Sequence, residues 1–176
     1  MSVIEIKQMS DAEIVASYIM YLVSGAMNQK IRNCVKLNDE DNARKDRLSA
    51  ALGNLPVFIG TTYRKIRLFD ESWVENFAEW HEVGSVVLYD EFLSSTKSFE
   101  FANEFNVNES SQDDSYMNEF EVILTIKSRK GRTYSALFPD AEDDEGEVLF
   151  DCGSSFRVMA VSKDGRKIEL EEEGWE

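Results

Sequence analysis

Glu145-Gly146-Glu147-Val148-Leu149-Phe150 closes an acidic run that begins at Glu142, and the reading of the fold turns on these six residues. After Glu147 the chain becomes apolar, and Asp151-Cys152-Gly153-Ser154-Ser155 turns it back. Phe156, Val158 and Ala160 then alternate with Arg157 and Met159, the pattern of a strand with one buried face. If Glu145–Phe150 is the edge of a strand, the side-chain period of two places Glu145 and Glu147 on one face, ~6.5–7 Å apart. Two carboxylates held so close repel each other unless a positive charge comes between them. A site that stabilises a developing cation uses that arrangement. An acidic run is equally the mark of a solvated loop, so the pair alone leaves both readings open.

Moving upstream, Phe120, Val122, Leu124 and Ile126 alternate with Glu121, Ile123, Thr125 and Lys127, the clearest strand pattern in the chain. Lys130-Gly131-Arg132 reads as a hairpin-like turn into a strand at Thr133–Leu137, and Lys163-Asp164-Gly165-Arg166 as the last hairpin turn. Asn106–Asn118 is polar without apolar periodicity and reads as a loop. Val57–Leu68 is rich in β-branched and aromatic residues and reads as a strand. Gly84–Leu88 and Phe92–Ser95 read as short strands, with a helix following from Thr96 to Phe105. Trp73, Val74, Phe77 and Trp80 recur at helical spacing after Asp70, an aromatic stripe expected to face the core.

The first third of the chain is helical in character. Ser10-Asp11-Ala12-Glu13 is a capping box, followed by Ile14, Val15, Tyr18, Ile19, Leu22 and Val23 at helical spacing. Gly25 is expected to stop or kink that helix. A second helix is predicted over Asp39–Leu52, with Gly53 as its C-terminal cap and Pro56 beyond. Helices first and mostly strands afterwards make the chain α+β.

The 176 residues suit a single domain, 1–176, with a helical layer over 1–55 and a β-rich part over 56–176. Hydrophobic content of 43% and aromatic content of 11% argue for a folded core. A net charge of −15 argues against nucleic acid as a partner, since that affinity rests on Lys and Arg. No apolar run approaches a membrane span, so no membrane partner is expected. The first residues lack the basic and apolar regions of a secretory signal, which points to action in a cytosol, the cell's own or a target's. Cys34 and Cys152 are expected to be free thiols. With His81 the single histidine, read here as a surface residue, zinc spacings are absent and no metal is expected.

Three pieces now stand in a fixed order: Tyr63-Arg64 on a strand, Phe92-Leu93-Ser94-Ser95-Thr96 at a strand end, and Glu145-Gly146-Glu147. This order resembles the Arg–Ser–Glu class of mono-ADP-ribosyltransferases, the group of clostridial-type toxins, phage enzymes and vertebrate ecto-enzymes. The likeness extends over about residues 48–170 and departs in two places. Lys65 follows the arginine where the family often has Gly, and Ser94-Ser95-Thr96 stands for Ser-Thr-Ser. The resemblance implies an ADP-ribosyltransferase fold, a helical layer with two packed, mainly antiparallel sheets around an NAD cleft.

It also implies an activity: ADP-ribose passes from NAD, as substrate, to an arginine of a target protein, and nicotinamide leaves. On this reading Arg64 binds the pyrophosphate and ribose side of NAD, as a planar permanent cation can. Ser94 orients the catalytic glutamate, and Thr96 caps the following helix. Glu147 holds the nicotinamide ribose and opposes the growing positive charge. Glu145 binds the acceptor guanidinium and helps to deprotonate it, and in this family a glutamate at that place accompanies arginine as acceptor. The acidic segment Phe138–Asp144 is expected to meet a basic patch around the target arginine, with Phe138 in apolar contact. A toxin or effector is implied, with a cognate immunity protein compatible with it. Two other readings stay open: an NAD glycohydrolase, with water as acceptor, and a catalytically silent binding module of the same fold.

Overall fold

The computed structural model describes residues 1–19, 21–104, 120–139 and 146–174, and the backbone only of 21–25. Glu145, the acidic segment Asp140–Asp144 and the predicted loop Asn106–Asn118 lie outside the described residues.

Helix α1 (Val3–Gln8) starts at a Ser2–Glu5 capping box that the sequence reading passed over. Helix α2 (Asp11–Ile19) starts at the predicted one: Ser10 N–H donates to Glu13 at 2.7 Å, and Glu13 N–H donates to Ser10 Oγ at 3.2 Å. The next helix, α3, runs from Tyr21 to Arg32 and passes through Gly25, which neither ends nor interrupts it. Helix α4 (Asp39–Asn54) is capped by Asn38, whose side chain accepts from Asp41 N–H. Gly53 belongs to its last turn, and the cap is Leu55, whose N–H bonds to Leu52 C=O. An extended cap residue leading into Pro56 ends the helix without a left-handed glycine.

Ile14, Val15 and Tyr18 of α2, Met27 of α3, and Leu48, Ala51 and Leu52 of α4 pack into one cluster with Phe92 and Leu149. This is the predicted helical layer, and it lies against one face of a β-sheet. The strands are β1 (Gly60–Arg67), β2 (Val86–Tyr89), β3 (Leu93–Thr96), β4 (Glu121–Ser128), β5 (Arg132–Thr133), β6 (Glu147–Phe150), β7 (Ser154–Val161) and β8 (Lys167–Glu172). They form one hydrogen-bonded order, β2-β7-β8-β4-β1-β3-β6-β5, antiparallel throughout except for β4 and β8.

The two expected sheets are therefore continuous. They join where β1 meets β3 through a single registered pair, Tyr63 with Thr96. Five strands lie on one side of this seam and three on the other. Val122, Leu124 and Ile126 of β4, Phe156 and Val158 of β7, and Ile168 and Leu170 of β8 share a core cluster with Leu93, Val148 and Phe150 from the three-stranded side. A sheet whose two parts bury side chains in the same cluster is folded over upon itself. Phe150 and Phe156 meet edge to face across that core, with ring centroids 5.2 Å apart.

Several elements are shorter than the periodicity suggests. The helix after β3 is α6 (Phe99–Glu104), and Thr96 remains in the strand while its Oγ1 accepts from Ser98 N–H. The segment Thr133–Leu137 is not a strand: β5 ends at Thr133, and Ser135–Leu137 makes one 3-10 turn. Helix α5 (Glu71–Trp80) is capped by Asp70. Its aromatic stripe divides, with Val74 and Phe77 on the core side and Trp73 and Trp80 about half exposed.

His81 is the clearest correction. It follows α5 at its C-terminal cap and is fully buried, not on the surface. Its Nδ1 lies 2.7 Å from Phe77 C=O and its Nε2 3.0 Å from the Tyr89 hydroxyl. A carbonyl can only accept, so Nδ1 carries the proton and Nε2 accepts from Tyr89. Burial holds its pKa below the ordinary value, the Phe77 bond opposing weakly.

Two turns depend on glycine. At Gly153 φ is +78°, in the turn that carries the chain from β6 across to β7. Gly131 is confined instead: a Cβ there would stand 2.6 Å from both Ser128 Oγ and Val148 Cγ1. The same turn is fastened by the buried Glu172 carboxylate, which accepts from the Arg129 and Lys130 N–H groups at 2.7 Å each.

Candidate active site

Arg64 stands opposite Leu124 in the β1–β4 ladder, a residue of the central core, so alternation turns its side chain toward the buried face. The residue as a whole is partly buried, while its guanidinium end is enclosed. Nη1 donates to the Ser94 carbonyl at 2.7 Å and to Ser94 Oγ at 2.8 Å. Nε is buried with no hydrogen-bond partner among the described residues. Desolvation pulls the Arg64 pKa below its ordinary value, yet a delocalised guanidinium keeps its proton under such conditions.

The β3–β6 ladder sets the opposite side. Ser94 pairs with Leu149 and Thr96 with Glu147, so Ser94, Thr96, Leu149 and Glu147 share one face. Ser95, on the other face, donates from Oγ to Val148 C=O at 3.0 Å and so locks the register. Just before the strand, Gly146 adopts φ +61° and its C=O accepts from Lys97 N–H at 3.0 Å. The aliphatic stem of Lys97 covers the glycine, and its ammonium lies 5.2 Å from the Phe58 ring centroid. This clamp fixes the residue that introduces Glu147.

Of the residues singled out from sequence, Arg64 and Ser94 are in direct contact, and Glu147 lies on the face that Ser94 shares. Glu145 lies outside the described residues. Ser94 Oγ accepts from Arg64, and the Tyr134 hydroxyl donates to Glu147 Oε2. Phe138, expected to meet a partner, is partly buried against the helical core and meets Tyr134 edge to face.

The helical layer supplies residues that periodicity had assigned to packing or passed over. Tyr18 stands in the electrostatic reach of both Arg64 and Glu147. Burial pushes its phenol up to about 12, with the Asn28 bond and Arg64 acting against burial and Glu147 and Glu91 with it. Asn28 Nδ2 donates to the Tyr18 hydroxyl at 2.9 Å and to Phe92 C=O at 3.2 Å. The buried Glu91 carboxylate accepts from Arg32 Nε at 2.9 Å. Nothing local in the sequence marks Tyr18, Asn28, Arg32, Glu91 or Tyr134, because each gains its place from a contact more than nine residues away.

No protein-family model matches the chain, and no curated protein matches it in sequence. Solved structures do resemble it. The ADP-ribosyltransferase Vis of Vibrio splendidus, in complex with agmatine, superposes with a TM-score of 0.68 at 21% identity, over 93% of this chain and 74% of that one. Exoenzyme S of Pseudomonas aeruginosa, in complex with human 14-3-3 protein beta and bound to carba-NAD, gives 0.65 at 21%, over 93% and 74%. The type III effector XopAI of Xanthomonas axonopodis pv. citri gives 0.66 at 17%, over 97% and 66%. The chain therefore has the α+β fold of solved ADP-ribosyltransferases. No helix among the described residues is long and apolar enough to cross a membrane.

Proposed function

We propose that the chain is a mono-ADP-ribosyltransferase that takes NAD as substrate, transfers ADP-ribose to an arginine of a target protein and releases nicotinamide. One observation carries the reading: in a fold of this kind, Arg64 bonds Ser94, and the strand that bears Ser94 pairs directly with the strand that bears Glu147. Arg64 keeps a buried donor for the pyrophosphate oxygens. Glu147 accepts from a ribose hydroxyl and opposes the positive charge that grows at C1′ as the bond to nicotinamide lengthens. Nicotinamide departs with the bonding pair, a guanidinium nitrogen of the acceptor forms the new bond to C1′, and Glu145 takes the proton that this nitrogen sheds. Arginine as acceptor follows from the glutamate at 145. The agmatine held by Vis supports the choice by analogy, since agmatine carries arginine's guanidinium.

In this reading the whole chain, 1–176, acts as one transferase domain, and its place is that of a toxin or effector working in a cytosol on a target with a basic patch around the arginine. A cognate immunity protein is a natural partner for such an enzyme.

The test is incubation with NAD alone and then with NAD and agmatine, following free nicotinamide and ADP-ribosyl-agmatine. Agmatine-dependent product supports the transferase. Equal nicotinamide release with and without agmatine, and no adduct, replaces it with a glycohydrolase. NAD binding without turnover leaves a silent module.

A further inference from the structure

We infer that Tyr134 is a positioning residue for Glu147, a role that rests on the transferase reading above. Its phenol donates a hydrogen bond to Oε2 of the Glu147 carboxylate. The backbone around Tyr134 is built to deliver that hydroxyl. Thr133, immediately before it, is the last residue of β5 and pairs with Val148, immediately after Glu147. Thr133 N–H also donates to Pro56 C=O at 3.1 Å, so the strand end is held from both sides. The chain then leaves the extended conformation at Tyr134, which precedes the 3-10 turn Ser135–Leu137. The register that pairs Arg132 with Leu149 and Thr133 with Val148 sets Tyr134 opposite Glu147 just as the ladder ends. The phenol is thereby delivered beside the Glu147 carboxylate.

The ring is held as well as the backbone. It is partly buried against the helical core, and Phe138 packs edge to face on it with centroids 6.1 Å apart. A phenol fixed by its ring and bonded through its oxygen restrains the carboxylate to one orientation. That orientation is what a group must have if it is to oppose charge in the transition state without first reorganising. Ser94, to which the family resemblance gives an orienting role, accepts from Arg64 in this structure. Tyr134 therefore positions the carboxylate from the β5 side.

Tyr134→Phe tests this, because it keeps the ring, its burial and its contact with Phe138 and deletes only the donor. The expected result is a fall in kcat for nicotinamide release of about tenfold or more, with the KM for NAD within about twofold and the thermal midpoint little changed. In the ligand-free protein, the NMR titration of the Glu147 carboxyl carbon moves to higher pH, as loss of a donor to the charged form requires. A kcat within twofold of wild type, or an unmoved Glu147 titration, overturns the role. So does a kcat loss matched by a collapse of the thermal midpoint, which would mark a structural tyrosine only. Wild-type protein that leaves NAD intact overturns the transferase reading and this role with it, whereas wild-type turnover with an unaffected Tyr134→Phe overturns this role alone.

Discussion

Arg64 Nη1 donates to both the carbonyl and the hydroxyl oxygen of Ser94, thirty residues further along, and so ties β1 to β3 where a single registered pair joins them. One nitrogen thus serves the scaffold, while Nε is buried and unpartnered among the described residues; on the proposed function it is left for the NAD pyrophosphate.

Arg64→Lys is the test of that division of labour. An ammonium keeps the charge but cannot hold Ser94 and a phosphate oxygen with separate nitrogens in one plane. NAD affinity measured by calorimetry should fall about tenfold or more. An unchanged affinity would make Arg64 a purely structural residue.

Glu147→Gln keeps the shape of the side chain and removes the charge. Transfer and hydrolysis should both fall by on the order of 10²–10³, as when one preorganised electrostatic partner is removed. Near-normal NAD cleavage would take Glu147 out of catalysis.

Glu145→Gln should separate the two activities. Transfer to agmatine is expected to collapse while slow NAD hydrolysis survives, because only the acceptor's deprotonation depends on this carboxylate. Parallel loss of both would mean that Glu145 does not serve the acceptor.

His81 makes folding stability depend on pH. Its folded pKa lies below the unfolded value of 6.5, so the unfolded chain takes up a proton before the native state does. The contribution is present above about pH 6.5 and is lost as pH falls from there through the folded pKa. Urea unfolding at pH 7.5 and 5.5 should show wild type losing more stability than His81→Gln. Equal losses in the two proteins would mean that His81 titrates alike in both states.

Much of this architecture is legible in the chain because it is written locally. Alternation identifies β4 and β7, since a half-buried strand must repeat with period two. The capping residues Ser10 and Asp70 announce their helices through bonds that span three residues. His81 is misread because only Tyr89, from the next strand, and the turn of α5 beneath it decide that it is buried. Gly53 looks like a cap by its position before Pro56, but an extended Leu55 does that work. Tyr134 is invisible for a related reason. Its partner lies thirteen residues away, and only the pairing of β5 with β6 brings the two together.

The join at Tyr63 and Thr96 gives the protein a crease. Arg64 belongs to the five-stranded panel and Glu147 to the three-stranded one, so the space between guanidinium and carboxylate is governed by a dihedral angle between panels rather than by a run of backbone bonds. Ladders of two to eight pairs run within each panel, whereas the crease is spanned by one registered pair, by the Arg64–Ser94 catch and by the core that both panels share. The contact of Phe150 with Phe156, one from each panel, therefore holds that angle from within the core.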